Sequence, residues 1–119
     1  MKCSATVGAV EKAVGAANEG ALGVVMNDAV GYPYESSSGV ASGKCPYIHG
    51  SGTVFTTDRY ETFRQDHVTP VAYAAGDRLY ASRNGLLTSH TETGANEIIG
   101  IVLIAPSASD PFMAVQMRI

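Results

Sequence analysis

Three histidines, His49, His67 and His90, are the side chains best suited to hold a metal or move a proton in this 119-residue chain. Their spacing argues against both roles. Metal sites gather imidazoles at i, i+4 on a helix or within one short loop, and here each histidine stands alone beside a turn. Ser51, His67 and Asp58 can be drawn as a hydrolytic triad, yet Ser51 lacks the G-x-S-x-G elbow that presents a nucleophile. It sits instead in Gly50-Ser51-Gly52, which has no GxxxxGK continuation and reads as a tight turn rather than a phosphate cradle. Glu92, Glu97 and Asp110 fall in expected loops, as solvated carboxylates and not as an acid–base pair. Cys3 and Cys45 form no CxxC. The N-terminus has no signal-peptide core, so free thiols are expected, with one intrachain or interchain bond as the alternative. These residues make no case for an enzyme, a metal or any cofactor, and no catalytic, cofactor-binding or metal-binding residue is assigned.

The composition narrows the classes further. Charged residues make up 16% of the chain against a usual ~25%, which suggests that part of the surface faces protein. The net charge is −3 and the basic residues are scattered, which argues against a nucleic-acid partner. No run approaches the about 18 apolar residues of a membrane span. Six tyrosines (Tyr32, Tyr34, Tyr47, Tyr60, Tyr73 and Tyr80) stand against three phenylalanines and no tryptophan. Tyrosine offers contact area with a polar tip, at interfaces or as caps on a small barrel.

The elements that would position these residues are strands. Gly76-Asp77 is a turn pair, Arg78 to Ser82 alternates polar and apolar, and Asn84-Gly85 signals a type I′ hairpin returning through Leu86 to Ser89. Ile98 to Ile104 is a β-branched run expected to be buried on both faces, and Met113 to Ile119 alternates again. Period two places Leu79, Ala81, Leu87, Ile99, Ile101, Leu103, Val115 and Met117 in one core. Upstream, Gly20–Ala29 is a strand whose Gly-Val-Val-Met echoes Gly100 to Leu103, as two equivalent strands of one barrel would. Residues 31–43 read as a loop, Lys44–His49 as a short strand and Thr53–Phe63 as another. Residues 1–20 form an arm or a short helix with Val7, Val10, Val14 and Ala17 on one face. The expectation is a mainly β protein: a small antiparallel β-barrel or β-tulip-like domain over 21–119, preceded by the 1–20 arm or helix.

The order of these motifs resembles the capsid decoration proteins of tailed bacteriophages, also called head-stabilising or cement proteins. The matching residues are Gly23 to Asp28, Gly50 to Gly52, Ala74 to Ala81, Asn84 to Thr88, Ile99 to Leu103 and Val115 to Arg118. The similarity spans residues 20–119; the loop at 31–43 and the Cys45-Pro46 pair depart from the family's pattern. The resemblance implies a structural virion protein on the capsid exterior, assembled in the host cytoplasm. It implies a homotrimer at three-fold positions, the major capsid protein as partner, and no nucleic acid or membrane. A tail or baseplate barrel, or a ligand-binding β module, is the alternative.

Overall fold

The computed structural model describes residues 1–3, 10–25, 47–64, 66–91 and 93–119. Among these residues nine strands run in chain order: β1 (Lys2–Cys3), β2 (Val10–Glu11), β3 (Val24–Val25), β4 (Tyr47–Ile48), β5 (Val54–Thr57), β6 (Arg78–Ala81), β7 (Leu87–Thr88), β8 (Gly100–Ile104) and β9 (Met113–Met117). The protein is a small mainly β domain, and no helix occurs among its described residues. Five strands form the main antiparallel sheet in the order β5-β9-β8-β6-β7. That sheet curls until its ends meet. Tyr60, just past β5, forms a parallel bridge with Leu87 of β7, and the Glu61 N–H donates to Leu87 O at 2.8 Å.

The core lies inside this curl. Leu79, Met113, Val115 and Met117 are fully buried, joined by Val102, Ile99, Ala81 and Leu87. Each of these Leu, Ile, Val and Met side chains contributes roughly 1.5–3 kcal/mol by leaving water, and Ala81 less. Leu79, Ala81, Leu87, Ile99, Val115 and Met117 agree with the period-two reading. Ile101 and Leu103 do not. Gly100 pairs with Met117 and Val102 with Val115, which puts Gly100 and Val102 on the inner face and Ile101, opposite Gln116, outside. The register then shifts between Val102 and Ile104, which pairs with Ala114. Leu103 is the extra residue of this bulge, 40% exposed, and Ile104 is 66% exposed. The run is therefore not buried on both faces. Gly100 is needed where it stands: a Cβ there would lie 2.8 Å from Val115 Cγ1 and 2.9 Å from Gln116 O.

Other expectations shift at the turns. The Asn84-Gly85 hairpin forms, but as a three-residue loop. The Ser82 N–H donates to Leu86 O, the Gly85 N–H donates to Ser82 O, and only Gly85 of the pair has positive φ, +76°. This is the turn-plus-bulge form, not type I′. The strand expected over Thr53–Phe63 ends at Thr57, whose hydroxyl accepts the Arg59 N–H at 3.0 Å and turns the chain. β3 and β8 are not equivalent: β3 pairs with β4 in a separate two-stranded sheet.

The described part of the N-terminal segment also differs from a helix. β1 and β2 pair with each other, Val14 is 44% exposed, and Ala13 is buried in the barrel core. The Asn96 side chain donates to Gly15 O at 2.7 Å, and the Ala21 N–H donates to Glu97 at 2.8 Å. The N-terminal ammonium donates to Gly23 O at 3.0 Å. Val7 lies outside the described residues, as do Tyr32, Tyr34, Cys45 and Glu92.

Candidate functional site

The structure leaves the candidate catalytic side chains dispersed. Ser51 is exposed in the Gly50–Gly52 turn, which is tied to the chain end by Gly50 N–H to Ile119 O and Gly52 N–H to Met117 O, both at 2.8 Å. Asp58 is exposed and faces Arg59 at 3.8 Å. His67 is exposed with φ +58°. No hydrogen bond joins Ser51, His67 and Asp58 among the described residues. His49 stacks at 5.2 Å against Tyr47, and His90 is half-buried beside β7. No three His, Cys, Asp or Glu residues among those described converge as metal ligands. Glu97 and Asp110 are exposed, and both accept backbone N–H groups, from Ala21 and Phe112.

Asp66 organises the exposed loop around His67. Its carboxylate accepts the Thr69 hydroxyl at 2.6 Å and the Thr69 and Val68 N–H groups at 2.8 and 2.9 Å. These bonds, the Thr69 hydroxyl first, hold its pKa down to about 2.

One polar cluster escaped the sequence reading. Glu61 and Thr88 are buried where the curled sheet closes, and the Thr88 hydroxyl donates to Glu61 Oε1 at 2.9 Å. The Tyr73 hydroxyl donates to Glu61 O at 2.5 Å, with Leu87 O at 3.3 Å. Tyr60 packs edge-on against Tyr73, centroids 5.1 Å apart, and donates to Pro111 O at 2.6 Å. Burial pushes the Tyr73 hydroxyl well above the usual phenol range, with the Glu61 and Tyr60 charges adding to it against the Thr88 bond. These two tyrosines cap the barrel closure. Tyr80 is half-buried, and Tyr47 is the exposed member among those described.

The surface holds a more accessible feature. In the β9 ladder Ala114 and Gln116 lie on the face opposite the inward Met113, Val115 and Met117, with Ala114 9% exposed, and Phe112 directly precedes the strand. Ile104 sits opposite Ala114, and Leu103 is bulged out beside it. Phe112 is 49% exposed. The adjoining turn, Ser107 to Asp110, closes on itself through Ser107 N–H to Asp110 O at 2.8 Å and carries a single charge. Three large apolar side chains thus face solvent together at one rim of the barrel. The bulge is what turns Leu103 and Ile104 outward, and a strictly alternating reading of the run has no means of placing it.

No family model, curated protein or solved structure matches the chain. The fold defines a class, a small curled antiparallel sheet whose ends meet at the Tyr60–Leu87 bridge.

Proposed function

We propose that this protein is a structural virion component that binds the outer surface of a tailed-phage capsid and stabilises the head. In this reading it acts as a homotrimer at three-fold positions, with the major capsid protein as its partner. The observation that carries the proposal is the Leu103–Ile104–Phe112 rim. Exposed apolar side chains grouped on a folded domain mark a protein contact more often than a solvated surface. The scarcity of charge and the order of turn and strand motifs support a shell lattice as the surface it meets. Among the described residues the rim offers no convergent polar groups of the kind that orient a small ligand.

Purified protein mixed with capsids lacking it tests the proposal. Wild-type protein should bind and raise the temperature at which the shells break. Ile104→Glu, at a side chain that contributes little to the core, should melt like wild type and fail to bind. Absence of wild-type binding, or unchanged binding by Ile104→Glu, would overturn the assignment.

A further inference from the structure

Among the described residues, β5 pairs with β9 and presents its other side to solvent. The Met117 N–H donates to Thr53 O at 2.7 Å. In the alternation of an antiparallel ladder, Phe55 and Thr57 then also bond to β9. Val54 and Thr56 turn their N–H and C=O groups to the open side. Both residues are exposed, Val54 at 56%. The strand reads Val-Phe-Thr-Thr and lacks the Lys, Pro or bulge that blunts an edge against pairing.

We propose that this edge takes a second copy of the same chain, the two β5 strands running antiparallel about a two-fold axis at Phe55. In that register Phe55 faces Phe55 of the other copy, and Val54 of each copy faces Thr56 of the other. Both residues of each Val54–Thr56 pair point outward, so each pair exchanges two hydrogen bonds. The edge is complementary to itself.

Charge supports the same register. Val54 lies opposite Gln116 and Thr56 opposite Ala114; Asp58 directly follows β5 at one end, and at the other Gly52, whose N–H donates to Met117 O, lies beside the chain leading to Arg118. Pairing about Phe55 sets Asp58 of one copy next to Gly52 of the other, with Arg118 one strand further on. Gly52 has no side chain, and nothing lies within 4 Å of where its Cβ would be. That space leaves Arg118 free to reach Asp58 across the junction, once at each end. Among the described residues, Asp58 forms an ion pair with the exposed Arg59 alone and Arg118 forms none. The two-fold closes the contact at two copies and stops the edge from recruiting further strands. The contact uses neither Leu103, Ile104 nor Phe112, so it is independent of the docking rim.

Sedimentation of the full chain and three variants tests the pairing. Wild type should form an even-numbered assembly, a dimer or two of the proposed homotrimers joined across their β5 edges. Thr56→Pro removes an outward N–H that the barrel does not use, and Asp58→Arg sets two arginines against each other. Each should halve the assembly mass with the melting temperature kept. Adding Arg118→Asp to Asp58→Arg should restore the mass. A wild-type monomer or odd-numbered assembly, a mass unchanged in Thr56→Pro, or no recovery in the double variant would overturn the proposal.

Discussion

The Thr88 hydroxyl and the Glu61 carboxylate meet at 2.9 Å with exposures of 1% and 4%, at the point where the barrel sheet closes on itself. Thr88 Oγ1 also accepts the His90 N–H at 3.1 Å, so its own single proton goes to Glu61. Removing that donor leaves a buried acceptor without its partner, and this costs more than a hydrogen bond contributes. Thr88→Val should therefore destabilise the protein by about 2 kcal/mol in chemical denaturation. Glu61→Met combined with Thr88→Val should cost less than the sum of the two single changes, because the contact is shared. Additive losses would mean that the two groups do not depend on each other.

A second prediction concerns the register of β8. Val102 is 1% exposed and Leu103 is 40% exposed. Val102→Ala should cost about 2 kcal/mol through lost burial and a residual cavity, and Leu103→Ala less than about 1 kcal/mol. Period two over the whole run gives the opposite ranking. If Leu103→Ala proves the costlier change in thermal denaturation, the bulge is misplaced.

The contrast between these two residues marks how far the sequence could be read. β6 and β9 were legible because Leu79, Ala81, Val115 and Met117 alternate in sequence with the polar Arg78, Tyr80, Ser82, Gln116 and Arg118, and β7 because it returns from the Asn84-Gly85 turn. Gly76 and Gly85 were legible as turns because positive φ selects glycine, +91° and +76° here. β8 was not, since a run of Ile, Val and Leu has no polar residue to show which face is inside. Glu61 was hidden for a related reason. In the strand expected over Thr53–Phe63 it reads as one more polar residue beside Asp58, Arg59 and Thr62. Its burial comes from Leu87 and Thr88, which lie far along the chain and reach it only when the sheet curls. The apolar rim depends on the same two facts, a bulge and a curl.

The third prediction is a loss of stability in alkali that runs through Tyr73. Its hydroxyl is held between Glu61 O and Leu87 O. Burial, with the nearby Glu61 charge, raises its pKa above the ordinary 10.0. A phenol whose folded pKa exceeds its unfolded value binds its proton more tightly in the folded state. The stabilisation from that proton is complete below about pH 10 and falls away as the pH rises further. Tyr73 must lose its proton for the unfolded chain to gain, so the strand closure at Tyr60–Leu87 should open as part of the alkaline transition. Absorbance titration of the phenols should show a class that ionises only when the protein unfolds. Tyr73→Phe should remove part of the pH dependence above 10 and lower stability near neutrality by about 1 kcal/mol, because two carbonyls lose a donor. If Tyr73→Phe leaves the alkaline slope of stability unchanged, another group governs the transition and the hydroxyl has no part in holding the barrel closed.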